Sequence, residues 1–409
     1  MEMKQSRILS FTTRIGLFLL ILYLGTMAAL MLDEQPGSAL TDLSSASVQA
    51  IAAAENSDVR YAAVTNGAQP TGLYRSDDAG HSWQLVCSGP GLEVKALAVH
   101  PANEALLFAG TRGGARETST SLWRSADGGR TWYPLRPGLP ANAYDRIPTV
   151  TTLAVDPGQP ESLFIGTDGE GLFRFQARES VKIEAINDGL PFVAHISDLA
   201  VGPKGRLYAI VNFGLYEYSD DAWQAIETLP EQVVSLGVTP TARQTLYVGS
   251  PSSGVYRSTD GGRTWTQMSD DLEMITGAPL HVTTLAVDQR DLTHVVAGTA
   301  YLVGHRLAGG AIHESRDGGQ HWTKLDDIDG LAHQVVIQGD RIDVGTTQGL
   351  LQFGPPEKPS PLLTLPDLDR LVRPTGIQAL ILILTAALAA SALLGRIEWF
   401  FDRSRGKIQ

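Results

Sequence analysis

The chain has 409 residues, a formal charge of −12 and one cysteine. One cysteine excludes an internal disulfide, and an acidic chain is a poor match for nucleic acid or an anionic membrane surface. A hydrophobic fraction of 43% is ample for a buried core and excludes a wholly disordered chain.

Residues 1–14 carry Lys4, Arg7 and Arg14 and are expected to be a cytoplasmic N-terminus. Ile15–Leu32 is an uncharged, mostly apolar run of 18, long enough to cross a bilayer as a helix. The alternative for 15–32 is a signal peptide cleaved near Thr26-Met27-Ala28. Residues 33–47 read as a polar linker, and 354–374 as a Pro-rich, semi-extended tether. Residues 375–395 are a second apolar span, followed by a basic tail, 396–409, with Arg396, Arg403, Arg405 and Lys407. The positive-inside rule puts both ends in the cytoplasm and everything between outside, at a cell membrane. Without the two ends, the remainder carries a charge of −16. A lone Cys87, read as a small core residue, suits an exported prokaryotic protein that does without disulfides.

Residues 48–353 repeat. Apolar first strands recur at Leu97-Ala98-Val99, Leu153-Ala154-Val155, Leu199-Ala200-Val201, Leu236-Gly237-Val238 and Leu285-Ala286-Val287. Second strands end in Gly, as in Phe108-Ala109-Gly110 and Tyr247-Val248-Gly249. A third strand then runs into a Ser-x-Asp-x-Gly-x-x-Trp octad, and a fourth leaves it. The octads are Ser76-Asp78-Gly80-Trp83, Ser125-Asp127-Gly129-Trp132, Ser258-Asp260-Gly262-Trp265 and Ser315-Asp317-Gly319-Trp322. Four short strands per unit at roughly 40–50 residues is the period of a propeller blade. Seven units begin near Val48, Val94, Val150, Ile196, Val233, Val282 and Gln334, so the expected fold is an all-β, seven-bladed antiparallel propeller flanked by two transmembrane helices. Unit three lacks the octad, and unit four has the shortened Ser219-Asp220-Asp221-Ala222-Trp223. Unit seven shows three strands, with its fourth expected from Ser38–Leu43 or Pro361–Leu365. The octad is expected to be structural: Asp caps its own turn, Gly takes a positive φ, and Trp fills space between blades.

The four octads resemble the Asp-box (BNR) repeat of sialidases, sortilin-type receptors, xyloglucanases and photosystem II assembly-factor propellers. The resemblance covers about residues 48–353 and implies the superfamily fold, whose members do unrelated jobs.

Propeller loops alternate between two faces. Here the turns between strands one and two, and three and four, are short and uniform. The opposite loops are long and irregular, and are expected to carry the binding site. Two groups of residues stand out there. Arg112, Arg116, Arg136, Tyr144, Arg146, Tyr301, His305 and Arg306 are candidate hydrogen-bond donors for a carboxylate or sulfate. Ser47, Glu93, Thr149, His195, Gln232, His281 and His333 recur just ahead of the first strands, and Glu93, His195, Gln232, His281 and His333 are candidates for a polar ring at the channel mouth. No metal and no cofactor is expected.

Sialidases imply an arginine cluster and a Tyr nucleophile, with the first arginine in Arg-Ile-Pro ahead of the first box. Tyr144-Asp145-Arg146-Ile147-Pro148 matches in part but follows the second box, and the other arginines find no counterpart. No catalytic residue is assigned. The expected function is a membrane-anchored extracytoplasmic scaffold or assembly factor that binds a protein partner or glycan through the long-loop face; the alternative is a sialidase-like glycoside hydrolase or glycan-binding protein.

Overall fold

The computed structural model describes residues 43–354, apart from 55–56, 68–69, 89–92, 116–119, 137, 157–158, 177–181, 203–204 and 240–244. The expected membrane spans, cytoplasmic ends and tether lie outside those residues. Among the described residues no helix is long and apolar enough to cross a membrane, and the structure is all β.

Every pairing between strands is antiparallel. The first meander runs Ala46–Ala53, Arg60–Gly67, Gly72–Ser76, Gln84–Ser88. Its pattern recurs along the chain. The innermost strands are Ala46–Ala53, Val94–His100, Val150–Asp156, Ala194–Val201, Ser235–Val238, Leu280–Val287 and Ala332–Gln338, close to the starts read from the sequence. Each packs against the next, and Ala332–Gln338 returns to Ala46–Ala53, so the ring closes. Ring closure leaves the innermost edges facing a common axis rather than an exposed sheet edge.

Two features depart from independent repeats. Asp168 and Gly169 pair with His195 and Ala194, joining the third and fourth meanders into one continuous sheet. Six inner strands also carry a register shift at the same place, between Val48 and Ala50, Val94 and Ala96, Val150 and Thr152, Ile196 and Asp198, Val282 and Thr284, and Ala332 and Gln334. A β-bulge bends the strand and re-aims the side chains beside it. Here those side chains reach the next inner strand. Gln334 Oε1 accepts the Ile51 N–H at 2.9 Å, and Asp198 Oδ2 accepts the Leu236 N–H at 2.9 Å. The Thr151 hydroxyl donates to the Ile196 carbonyl at 2.6 Å; in Ser235–Val238, which has no register shift, the Ser235 hydroxyl makes a similar bond to the Val282 carbonyl at 3.1 Å.

The last sheet has three described strands, Ala332–Gln338, Arg341–Thr346 and Gly349–Phe353. Of the two segments expected to complete it, only Leu43 is described, and its carbonyl accepts the Leu350 N–H at 3.0 Å. The core consists of seam clusters, each shared by two neighbouring meanders, such as Tyr247, Val255, Leu280, Leu285 and Trp322.

Candidate functional site

The octads build one uniform face. In each, the Ser hydroxyl donates to the Asp carboxylate at 2.7–2.9 Å and accepts the Gly N–H at 2.6–2.9 Å. The Gly residues sit at φ of +85 to +89°, where a side chain would be strained. The Asp Oδ1 accepts the backbone N–H four residues on at 2.9 Å, and Oδ2 bonds that residue's side chain, Ser82, Thr131, Thr264 or His321. This seventh octad position was not singled out in the sequence, where it varies between Ser, Thr and His. The donors hold the carboxylates ionised: the Thr264 and His321 backbone N–H groups, then their side chains, pull Asp260 and Asp317 to about 2.

The Trp residues fill seams with the preceding meander. Trp83, Trp132, Trp265 and Trp322 each pack into such a cluster, as does Trp223 of the shortened turn. Trp322 is buried and its indole donates to the Met268 carbonyl at 2.7 Å, in the sheet before its own. Trp265 is half-buried. The arginines inside the repeat stay within it: Arg257 donates to the Gly318 carbonyl at 2.7 Å, and Arg75 pairs with Asp77.

On the opposite face the candidate donors do not converge. Arg112 lies 3.6 Å from Glu93, which also binds Lys95 at 2.9 Å. Arg146 is in a two-residue strand against Gly114–Ala115, with Tyr144 exposed beside it. Arg136 is exposed, and Arg116 lies outside the described residues. Tyr301 donates to the Glu273 carbonyl at 3.0 Å; beyond it His305 lies at the tip of the hairpin and Arg306 pairs with Val303. Among the described residues no hydrogen bond joins the Arg112–Arg146 group to the Tyr301–Arg306 group.

The expected channel ring likewise does not form one cluster: Glu93 and His333 have Lys95 as a common neighbour, and the others lie apart. His195 bonds Asp168 across the sheet junction. His281 is half-buried, and burial lowers its pKa against the opposing effect of its hydrogen bond to the Pro251 carbonyl. His333 is lowered by burial and by the nearby Lys95 ammonium. Gln232 lines a cleft described below. Among the described residues no three His, Cys, Asp or Glu side chains gather as a metal would need.

What the sequence reading missed is apolar. Eight large hydrophobic side chains are exposed among the described residues, and seven of them, all but Tyr133, project from the long-loop face. They are Tyr144, Phe192, Val193, Phe213, Met274, Ile275 and Val303. Phe213 is half exposed at φ +68°, paired with Asn212 at φ +50° in a two-residue hairpin. Such turns favour Asn-Gly, and a left-handed non-Gly residue costs about 1–2 kcal/mol. The turn is nonetheless fixed. The Asn212 side chain accepts the His195 N–H at 3.0 Å and donates to the Val193 carbonyl at 2.8 Å, while the Phe213 carbonyl accepts the Val233 N–H at 2.9 Å. An open cleft of about 320 Å³ runs beside it, lined by Phe213, Leu215, Ile226, Leu229, Glu227 and Glu231 among others. Burial would raise the Glu231 carboxyl, but the hydroxyls of Ser252, Ser253, Ser250 and Tyr256 hold it below the usual range, Ser252 donating at 2.6 Å.

The chain matches no established protein family and no curated protein. Solved structures do share its architecture. It is similar to a family 74 xyloglucanase from Xanthomonas campestris, with a TM-score of 0.57 and 18% identity over 76% of this chain and 52% of the enzyme. The fold is a β-propeller. YCF48, solved with a D1 peptide bound, gives a TM-score of 0.51 and 17% identity, covering 77% of this chain and 95% of YCF48. The extracellular domain of a one-component system from B. thetaiotaomicron gives 0.52 and 16%, covering 77% of this chain and 39% of that one. This propeller chain therefore spans about half the length of the xyloglucanase, and at these identities the likeness concerns fold alone.

Proposed function

We propose that the chain is a seven-bladed Asp-box propeller, anchored by apolar segments 15–32 and 375–395, with both termini cytoplasmic and the propeller outside the cell membrane. It works as a protein-binding scaffold or assembly factor through its long-loop face. One observation carries this reading: among the described residues, seven of the eight exposed large hydrophobics lie on that face, while the octads spend their polar groups on their own turns and their Trp residues on the seams. Exposed apolar side chains gathered on one side of a rigid scaffold mark interaction sites. YCF48, a propeller of matching extent, was solved holding a peptide, which agrees with a peptide or protein ligand. Among the described residues the candidate arginines and Tyr144 are not joined into a catalytic constellation, so their geometry lends hydrolysis no support.

Site-specific photo-crosslinking in intact cells tests the reading. A crosslinking residue at Phe192 or Tyr144 is expected to trap a discrete partner, and one at Arg130 or Arg263 on the octad face is not. Partner capture from the octad positions alone would sink it. Protease added outside the cells should remove the propeller and spare epitope tags at both termini.

A further inference from the structure

The long-loop face is electrically divided. Its loops at 167–171, 186–193, 212–213, 226–234, 250–254 and 269–279 hold eight Asp and Glu and no Lys or Arg. The loops on the other side of the ring are mixed, with Arg112, Arg136, Arg146 and Arg306 beside Glu93, Asp145 and Asp329. Among the described residues, five of the seven exposed large apolar side chains of this face fall in the acidic half: Phe192, Val193, Phe213, Met274 and Ile275.

From this we infer that the acidic half docks a basic, apolar segment of a partner protein, with a Lys or Arg of that segment entering the cleft between Phe213 and Glu231. The inference rests on the long-loop reading above and deepens it. A cationic side chain has an aliphatic stem and a charged head, and needs an apolar wall ending in an anion. The cleft offers both: Phe213, Ile226 and Leu229 along its length, and the Glu227 and Glu231 carboxylates beside them. Glu231 is already held by serine hydroxyls, and Glu227 is exposed. The Asn212 hydrogen bonds fasten the Phe213 turn to the backbone at Val193 and His195, so this part of the apolar surface needs little ordering when a ligand arrives. Phe213 is in the left-handed region with half its surface in water, where a glycine would form the turn more easily. Strain kept without core packing in return is a mark of a functional position. Charge complementarity selects against acidic and purely polar segments.

The test is selection of a random peptide library displayed on phage against the full chain in detergent. Selected peptides are expected to be net positive with at least one aromatic or branched aliphatic residue, and to lose affinity as salt rises. Glu231→Lys and Phe213→Gly should each weaken them by at least about tenfold, with melting temperature unchanged or raised for Phe213→Gly. Glu227→Lys, at an exposed position, serves if Glu231→Lys lowers the melting temperature. Peptides that are net negative and are lost on Arg112→Ala or Arg146→Ala overturn the inference and leave the long-loop reading standing. Peptides indifferent to every loop-face change, but lost on octad-face changes such as Arg263→Glu, overturn both. Basic peptides that bind Phe213→Gly and Glu231→Lys as tightly as the parent chain also overturn the inference.

Discussion

The carboxylate of Asp198 accepts the backbone N–H of Leu236 at 2.9 Å, joining the innermost strands of two neighbouring meanders. Gln334 does the same for Ile51 where the end of the chain meets its beginning. Both acceptors sit immediately after a β-bulge, and both satisfy an N–H on an inner edge that has no further strand to pair with. Ring closure therefore uses one local device at more than one seam.

Asp198 gives this seam a pH dependence. Burial pushes its carboxyl up to about 7, against the opposing N–H groups of Leu236 and Leu199. In the unfolded chain it titrates near ~3.9. The folded state thus holds the proton more tightly, so its contribution is most favourable in acid and declines as pH rises from about 4 to about 7. The residue keeps some solvent contact, which makes the slope shallower than the full shift implies. Asp198→Asn, which keeps one of the two acceptor oxygens and cannot ionise, should flatten thermal stability across that range at some cost in overall stability. A variant with the parent's slope would show that the slope arises elsewhere. Asp198→Ala leaves the Leu236 N–H unpaired and should cost about 1–3 kcal/mol at any pH.

The octad carboxylates act in the opposite sense. Asp260 is drawn down to about 2 by the Thr264 N–H, the Thr264 hydroxyl and Ser258. A lowered folded pKa stabilises above the unfolded value of ~3.9 and is lost as pH falls through about 2. Asp260→Ala should lower the melting temperature at neutral pH and narrow the gap between neutral and strongly acidic melts. An undiminished gap would mean that this turn does not contribute to acid sensitivity.

Trp322 and Trp265 occupy the same octad position in different surroundings. Trp322 is 6% exposed and donates to Met268 of the neighbouring sheet, whereas Trp265 is half-buried. Trp322→Ala should cost about 3–5 kcal/mol in denaturant unfolding. Trp265→Ala should cost clearly less, because fewer contacts are lost. Equal losses would contradict the packing described for the two seams.

The chain's repeat made much of this legible. Ser, Asp and Gly of the octad recur with fixed spacing because a tight turn's hydrogen bonds are local and chemically narrow. The side chain before each Trp escaped notice because Ser82, Thr131, Thr264 and His321 supply the same bond with different groups. The seam residues were hidden for another reason. A bulge decides that Asp198 and Gln334 reach the next strand, and alternation of polar and apolar residues does not reveal a one-residue shift. On the long-loop face, attention to arginines passed over Phe192 and Phe213. A readable signal was present in Asn212-Phe213-Gly214, where a two-residue hairpin places a bulky side chain at a site that favours glycine.

Phe213 allows stability and binding to be separated. Phe213→Gly removes about 1–2 kcal/mol of left-handed strain and adds roughly 0.5–1 kcal/mol of unfolded-state entropy. Equilibrium unfolding should therefore show a chain as stable as the parent or up to about 1.5 kcal/mol more stable. A loss beyond about 1 kcal/mol would reveal packing around the ring that its exposure does not suggest.

Arg146 decides the remaining alternative. It belongs to Tyr144-Asp145-Arg146-Ile147-Pro148, the fragment that matches a sialidase motif in part. In the fold, Arg146 lies in a short strand pairing with Gly114–Ala115, and its backbone N–H is held by Asn142 Oδ1 at 3.1 Å. An oxocarbenium-forming hydrolase needs a nucleophile and an acid–base carboxylate set on either side of one sugar bond. The exposed Tyr144 is not hydrogen-bonded through its hydroxyl to a carboxylate among the described residues, and Tyr301 is committed to the Glu273 carbonyl. The intact protein should therefore release no fluorophore from sialosides or other aryl glycosides, and Arg146→Ala should leave that baseline where it was. Turnover that disappears with Arg146→Ala, while the melting temperature holds, would make the protein a hydrolase and assign the long-loop face to sugar.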